Sequence, residues 1–184
     1  MIFSETILKG CYIVQMEPKT DDRGWFARSF CKHEFEAIGH NKEWVQMNHS
    51  FTKDEGTVRG MHFQLPPFSE KKLVRCIAGT VCDVIIDLRN GSPTFLKWLA
   101  IDLSAENKKM IYVPEGFAHG FQCLTSNCEL LYHHSEFYSA AAEGGIRYND
   151  IMLDINWPLP VKNISPRDQV HPLLTAEFQG LKIN

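Results

Sequence analysis

Three apolar segments of the chain carry side chains that can move protons. His62 lies in VRGMHFQ at 58–64, His119 in PEGFAHG at 114–120 and Tyr132 in CELLYHH at 128–134. A polar group costs free energy when it is buried without a partner, so these positions point to general acid–base chemistry or, for histidine, to metal binding. The patterns alone leave open that both histidines are ordinary core or loop residues, and they favour a core aromatic for Tyr132.

Alternation along an extended chain predicts which of these side chains share a face. In 58–64 it places Arg59 opposite His62, which is compatible with a histidine that points into a ligand cavity. In 128–134 it places Tyr132 and His134 on one face and His133 on the other.

The spacing of the eight histidines does not predict a metal site. Metal enzymes built on β-barrels often carry a His-x-His pair on one strand face, with a glutamate and a distant histidine. Here Gln64 occupies the second position of such a pair after His62, and the adjacent His133 and His134 point to opposite faces. The sequence also contains no glycine-rich phosphate loop and no nucleophile elbow.

The elements that must hold these side chains are mostly strands. Residues 73–88 indicate two strands joined by a tight turn at Gly79, and RNGSP at 89–93 is a strong turn signal. Further strands are predicted at 98–103, 109–114, 120–124 and 128–134. Turn signals separate them at the spacing of a sandwich or barrel.

A helical pattern occurs only at 32–39, where Gly39 is the expected end. The prediction is a mostly β chain that forms a jelly roll with few short helices. We expect a single domain over 1–184, with the proline-punctuated segment from about 157 to 184 wrapping the barrel.

The composition is that of a folded protein without a strongly charged surface. The chain has 184 residues, of which 44% are hydrophobic and 22% charged, and its net charge is −3. This excludes intrinsic disorder and collagen-like repeats, and it provides no basic field for a nucleic acid. An anionic ligand must therefore be bound by a local cluster of side chains.

The cysteines and the N-terminus indicate a reducing compartment. Cys76 and Cys82 lie in an apolar run, where cysteine usually acts as a small hydrophobic residue, and no CxxC motif occurs. The first residues lack the basic and apolar stretches of a signal peptide, and no window has the roughly 20 apolar residues that cross a bilayer. We therefore expect free thiols in a cytoplasmic protein with no membrane partner.

A series of short motifs runs through the chain. They are DRGWF at 22–26, QMNHS at 46–50, VRGMHFQ at 58–64, KLVR at 72–75, DVIIDLR at 83–89, SPTF at 92–95, LSAENK at 103–108, PEGFAHGF at 114–121, LY at 131–132 and YS at 138–139. Each is weak alone. Together, over about residues 3 to 175, they closely resemble the dTDP-4-dehydrorhamnose 3,5-epimerase family of nucleotide-sugar enzymes.

The resemblance implies a cupin-type jelly roll, usually a homodimer, that works without a metal or an organic cofactor. The substrate would be a nucleoside-diphosphate 4-keto-6-deoxy hexose, on a route of deoxysugar synthesis for cell-surface polysaccharides such as the O-antigen of lipopolysaccharide. The 4-keto group acidifies the hydrogens on C3 and C5, and reprotonation from the opposite face inverts the carbon.

Carried over by motif, the resemblance makes His62 the base and Tyr132 the acid. An unperturbed imidazole titrates at about pH 6.5 and a phenol at about pH 10, so at neutral pH the first can accept a proton and the second can donate one. Asp168 matches the carboxylate that pairs with the base and fixes its tautomer. Lys72 matches the cation near the sugar ketone, where positive charge stabilises the enolate.

Further residues match contacts to the substrate. Arg23, Arg59 and His119 match polar contacts to the nucleotide or its diphosphate, and Tyr138 matches the aromatic residue that stacks on the base. The remaining substrate-contact positions are Gln46, Asn48, Glu143 and Arg167.

Some positions depart from the family pattern. Arg28 stands where glutamate is usual, Arg167 where lysine is common and His133 where lysine often follows the tyrosine. The charge reversal at Arg28 leaves the nucleobase open, so a dTDP-, CDP- or GDP-linked sugar is possible. Inversion at C3 or C5 alone, a ketoisomerase that moves the keto group between C4 and C3, a binding protein without turnover and a metal-dependent cupin enzyme are the alternatives.

Overall fold

The chain forms strands wherever its sequence is rich in β-branched and alternating side chains. The computed structural model describes residues 1–183. Its strands are β1 (Ile2–Glu5), β2 (Tyr12–Gln15), β3 (Lys19–Asp21), β4 (Gly24–Phe26), β5 (Gln46–Thr52), β6 (Thr57–Gln64), β7 (Lys72–Ala78), β8 (Thr80–Asp87), β9 (Trp98–Ser104), β10 (Lys109–Val113), β11 (Phe117–Cys123), β12 (Cys128–His134), β13 (Glu143–Gly145) and β14 (Asn163–Ile164). Its helices are α1 (Lys32–Glu36) and α2 (Pro166–Gln169).

The strands form two main sheets that pack as a sandwich. The first has the order β1-β2-β10-β7-β12-β5, and the second has the order β13-β6-β11-β8-β9 with β14 added beside β6. The turn at Gly79 carries the chain from one sheet to the other, because β7 belongs to the first and β8 to the second. Its backbone has a φ of +74°, which glycine adopts without steric cost. The predicted mostly β, cupin-type jelly roll is confirmed.

The core between the sheets comes from the inward-facing side chains of both. Val74 and Leu130 of the first sheet lie in one buried cluster with Val81, Ile85 and Phe121 of the second. Tyr132 packs against this cluster and is only partly buried, so its ring is both a core aromatic and part of a more open surface.

The C-terminal segment covers the outer face of the second sheet. Trp157, Leu174 and Phe178 pack against a cluster that includes Val84 and Ile86 of β8. Both faces of β8 are therefore covered, which explains its nearly continuous apolar sequence. We propose on this basis that residues 1–184 fold as one domain. Asn184, the last residue of the predicted wrapping segment, lies outside the described residues.

A β-bulge in β6 determines which side chains face the interior at one end of the sandwich. His62 pairs with His119 and Arg59 pairs with Phe121, so three steps along β6 match two steps along β11. The extra residue turns the side chains beyond it to the other face. Arg59 and His62 therefore line the same cavity, and the prediction that they lie on opposite faces is wrong.

The cysteines agree with the sequence prediction, whereas the helix predicted at 32–39 is shorter, as α1 (Lys32–Glu36), and α2 (Pro166–Gln169) was not predicted. All six cysteines are free thiols, and all but Cys31 are buried. Within residues 1–183 there is no helix with the length and apolar character that a membrane crossing requires.

Candidate active site

A cavity of about 270 Å³ opens between the two sheets. Strands β5, β7 and β12 supply one wall, β6 and β11 supply the other, and α2 contributes one residue. The lining residues are Asn48, Ser50, Arg59, His62, Lys72, His119, Gly120, Phe121, Tyr132, His134 and Arg167. The fold thus brings His62, Lys72 and Tyr132 from three separate strands to one space.

His62 is held by the carboxylate of Asp168. Its Nε2 lies 2.8 Å from Asp168 Oδ1, and the backbone N–H of Gly60 donates to Oδ2 at 3.2 Å. Burial raises the pKa of Asp168, but the hydrogen bond and charge of His62 and the Gly60 N–H outweigh it and lower this pKa to about 2. An ionised carboxylate can only accept, so the His62 Nε2 carries the proton. The His62 Nδ1 then has a lone pair that can accept a proton.

Asp168 is fixed by the short helix α2. The side chain of Ser165, the N-cap residue, accepts a hydrogen bond from the backbone N–H of Asp168 at 3.1 Å. This cap locks the first turn, and the Asp168 side chain is only 3% exposed. The carboxylate is therefore held behind the His62 ring.

The phenol of Tyr132 reaches the cavity from the opposite sheet. Its hydroxyl lies 3.0 Å from the Ser50 Oγ on the neighbouring strand β5. Burial raises the pKa of Tyr132, and the Ser50 hydrogen bond only partly offsets this effect. The hydroxyl therefore keeps its proton at neutral pH and is available as a donor.

Lys72 is the buried cation of the cavity. Its Nζ lies 3.2 Å from Glu70 Oε1, and both side chains are 9% exposed. Glu70 Oε2 in turn lies 2.6 Å from His134 Nδ1. The His134 ring is stacked beside Tyr132, with 6.1 Å between ring centroids and an interplanar angle of 25°.

A second histidine–carboxylate pair lies on β11 and β8. His119 Nε2 is 2.8 Å from Asp83 Oδ2, and Asp83 is fully buried. Burial raises the pKa of Asp83, while His119 and the charge of Lys72 oppose that shift. His119 is thus tied to the second sheet and presents its ring to Tyr132 at 6.2 Å between centroids.

A network of polar side chains forms the rim of the cavity. Arg167 Nη1 donates to Glu143 Oε1 at 2.8 Å, and the Tyr138 hydroxyl donates to Glu143 Oε2 at 3.1 Å. The backbone N–H of Tyr138 donates to Gln46 Oε1 at 3.1 Å. Arg167 also brings its Nη2 within 3.4 Å of His62 Nε2. Gln46, Tyr138 and Glu143 are therefore linked to cavity residues, and the Tyr138 ring is 56% exposed.

Arg23 lies elsewhere in the protomer. It occupies the turn of the β3–β4 hairpin, is 89% exposed and pairs with Asp21 at 2.6 Å. It lines a second cleft together with Trp25 and Phe26. Arg28, one of the departures from the family pattern, is paired with Glu34.

His171 lies beside the His62–Asp168 pair and is a third side chain that could bind a metal ion. The ligand atoms of His62, Asp168 and His171 lie within 4.8 Å of one another. Arg167 faces the same two groups, at 3.4 Å from His62 Nε2 and 3.6 Å from Asp168 Oδ1. A guanidinium at this distance repels a divalent cation and competes with it for the Asp168 carboxylate.

Several residues of the site were not identified from the sequence. They are Ser50, Glu70, Asp83, His134 and His171. A signal existed for His134, because alternation in 128–134 places it beside Tyr132, and for Asp83, because it is a carboxylate within an apolar strand. Glu70 precedes β7 in a loop and shows no comparable pattern.

The comparisons with known proteins identify the family. Residues 5–176 match the family model described as dTDP-4-dehydrorhamnose 3,5-epimerase. The chain belongs to this family. A relative from Shigella flexneri with the same name is 45% identical over 159 residues, which are 85% of this chain and 87% of the relative.

Solved structures of this epimerase family share the fold. The enzyme from Bacillus anthracis, with TDP and pyrophosphate bound, is 39% identical with a TM-score of 0.91, over 94% of this chain and 99% of that one. The enzyme from Legionella pneumophila, in complex with dTDP-4-keto-L-rhamnose, is 35% identical with a TM-score of 0.90, over 100% of this chain and 99% of that one.

Proposed function

We propose that this protein is an epimerase of a dTDP-linked 4-keto-6-deoxy hexose in deoxysugar biosynthesis, of the dTDP-4-dehydrorhamnose 3,5-epimerase type. The supporting observation is that His62, which is held by Asp168, and the Tyr132 phenol line one cavity from different sheets. Epimerisation next to a ketone requires two proton-transfer groups on opposite sides of the sugar ring. Membership of an epimerase family supports the same reaction.

The base step begins at the free nitrogen of His62. Its Nδ1 removes the proton from the carbon next to the 4-ketone, and the electron pair of that C–H bond moves into an enolate. Asp168 stabilises the imidazolium that forms. Lys72 supplies positive charge to the enolate oxygen, in a buried setting where such stabilisation is strong.

The acid step comes from the other side of the ring. The Tyr132 hydroxyl donates its proton to the same carbon, so the configuration inverts. Ser50 and solvent return a proton to the phenolate, and His62 releases its proton to solvent. This route uses side chains of the protein and solvent, and a reaction without metal or organic cofactor stays a prediction.

The nucleotide would occupy the cavity and its polar rim. Arg59, His119 and Arg167 offer donors to the diphosphate, and the exposed Tyr138 ring offers a stacking surface for the base. Gln46, Asn48 and Glu143 complete the contacts. A net charge of −3 on the whole chain leaves this local cluster as the attraction for an anionic substrate.

Arg23 can join this nucleotide site in a homodimer. It lies on an exposed hairpin with Trp25 and Phe26, which are 50% and 76% exposed, and it lines a different cleft from His62. A hairpin that docks on a second copy would place Arg23 beside that copy's cavity.

We also propose a cytoplasmic location, which the free thiols support.

Incubation in deuterium oxide with dTDP-linked 4-keto-6-deoxyglucose tests the function. The proposal predicts deuterium at both C3 and C5 of the sugar, read by NMR and mass spectrometry. Label at one carbon would identify a single epimerase, and a 3-keto product would identify a ketoisomerase. Faster turnover of a CDP- or GDP-linked sugar than of the dTDP-linked sugar would show that the substrate carries a different nucleobase. No exchange with any of these sugars would refute the proposal.

A further inference from the structure

Glu70 is shared between Lys72 and His134 beneath the wall of the cavity. Its two carboxylate oxygens are used separately, with Oε1 3.2 Å from the Lys72 ammonium and Oε2 2.6 Å from His134 Nδ1. Burial raises the pKa of Glu70, but His134 and Lys72 outweigh it and the pKa is lowered. Glu70 is therefore an acceptor only, and the His134 Nδ1 must carry the proton that it shares with Glu70.

The other ring nitrogen of His134 faces an amide whose orientation is also fixed. A backbone N–H can only donate, and the Tyr138 N–H lies 3.1 Å from Gln46 Oε1. The oxygen of the Gln46 amide must therefore face Tyr138, and its NH₂ group must point away. Gln46 Nε2 then donates to Asn48 Oδ1 at 3.1 Å, which turns Asn48 Nδ2 toward His134 Nε2 at 3.3 Å. His134 Nε2 accepts this bond, so the ring is the neutral Nδ1–H tautomer.

Four of these bonds run in one direction and end at Glu70. The backbone N–H of Tyr138 donates to Gln46, and each group then donates to the next through Asn48 and His134 to Glu70. Lys72 pairs with the same carboxylate from the other side. Hydrogen bonds in such a chain polarise one another and act as a unit. The chain begins in the segment proposed to stack on the nucleobase and ends at the carboxylate that pairs with the cation proposed to face the sugar ketone.

We propose that this polarised chain positions Lys72 for the reaction and that His134 is its central positioning residue. The His134 hydrogen bond draws part of the Glu70 charge away from Lys72, which leaves the ammonium free to interact with the enolate. A nucleotide that orders the Tyr138 segment also orders the chain. The inference rests on the proposed function for its kinetic consequence, whereas the hydrogen-bond directions do not depend on it.

The first test measures the tautomer directly. The ¹⁵N NMR signals of His134 in the full-length protein, with and without dTDP, should show a protonated Nδ1 and an unprotonated Nε2. The spectrum of a His134→Ala variant assigns the signals. A ring protonated at Nε2 alone, or at both nitrogens at neutral pH, would overturn the proposal even if the enzyme turns over its substrate.

The second test separates positioning from folding. His134→Ala should lower kcat about 10- to 100-fold, as expected for a group that orients a reacting residue, with KM unchanged. An asparagine side chain carries an N–H near the place of the histidine Nδ1, so His134→Asn should recover much of the loss. The control is His49→Ala, which removes a half-exposed histidine paired with Glu129 outside the cavity and should keep the wild-type rate.

A double-mutant cycle tests whether His134 acts on Lys72 through Glu70. If His134 acts through Glu70, the Glu70→Gln and His134→Ala double variant should be no slower than Glu70→Gln alone. Additive losses, an unchanged kcat in His134→Ala, or equal losses in the alanine and asparagine variants would each overturn the proposal. A wild-type protein without turnover would refute the proposed function instead, and the NMR result would still decide the hydrogen-bond chain.

Discussion

The position of the proton on His62 follows from the charge of one neighbour. Asp168 is buried but ionised, so it holds the N–H of Nε2 and leaves Nδ1 free. Burial of the Tyr132 hydroxyl raises its pKa, which keeps the phenol protonated. Two residues that the sequence alone could not distinguish from core side chains thus acquire opposite roles from their surroundings.

The role of Asp168 can be tested by removing its charge alone. We expect Asp168→Asn to slow deuterium incorporation into the sugar by about 10²- to 10⁴-fold, the range of a lost general base, because an amide neither fixes the tautomer nor stabilises the imidazolium. The rate is measured by NMR in deuterium oxide. Asp154→Asn, at an exposed turn position, is the matched control. A wild-type rate in Asp168→Asn would contradict the assignment of His62.

The same carboxylate predicts a loss of stability in acid. The pKa of Asp168 is about 2 in the folded protein and about 3.9 in an unfolded chain. Its ionised form therefore stabilises the fold fully above about pH 4, and the contribution, on the order of 2 kcal/mol, is lost as the pH falls toward 2. Urea unfolding between about pH 5 and pH 2 should show a smaller decline for Asp168→Asn than for the wild type. Equal declines in the free energy of unfolding of the two proteins would show that the pKa of Asp168 is not lowered in the folded state.

At the scale of the elements, β6 and β11 form one wall of the cavity. Their backbones approach closely, because Gly60 and Gly120 face each other where the bulge lies. The sequence predicts a strand at 120–124 and an extended chain at 58–64, whereas β11 begins earlier, at Phe117. The bulge cannot be predicted, since alternation carries no signal for an extra residue, and that is why Arg59 is assigned to the wrong face.

A methyl group at Gly120 tests this close approach. Its Cβ would lie 2.6 Å from the Met61 sulfur and 2.7 Å from the Arg59 carbonyl oxygen, and the backbone cannot yield without moving His119 and His62. We expect Gly120→Ala to lower the free energy of unfolding by roughly 1–3 kcal/mol and to abolish most of the proton exchange. Urea unfolding and the exchange assay measure the two effects.

The control for Gly120 is Gly91→Ala. Gly91 has a φ of +72° and nothing within 4 Å of an added Cβ, so it should lose about 1–2 kcal/mol through its backbone alone and keep its activity. If the Gly120 variant kept full exchange activity, β6 and β11 would not set the geometry of the cavity.

For the molecule as a whole, the sequence predicts the sandwich and most of the cavity, but not the residues that the C-terminal segment adds to it. Strands β7 to β12 are recognisable because their apolar runs face the core. Asp168 and Arg167 come from a four-residue helix too short to show periodicity, and only the motif resemblance locates them. Arg23 matches the family motif but lines a different cleft from His62, because a motif does not state where in the fold a side chain lies.

Mixed dimers test whether Arg23 acts on a partner. In a dimer of one Arg23→Ala subunit and one His62→Ala subunit, a shared arrangement gives one site with both native residues. Random pairing should then restore about a quarter of the wild-type activity, although each variant alone is nearly inactive. The measurement is the rate of a co-expressed mixture against each homodimer. A rate no higher than the mean of the two variants would show that Arg23 does not serve the partner's site.

The most direct test of the account compares solvent exchange in two variants, His62→Ala and Tyr132→Phe, with the 4-keto nucleotide sugar in deuterium oxide. If His62 removes the proton and Tyr132 delivers one from the other side, His62→Ala should show no label at C3 or C5. Tyr132→Phe should take up deuterium without inverting the carbon. Continued exchange in the first variant, or inverted product at the wild-type rate in the second, would contradict the assignment of these two residues as base and acid.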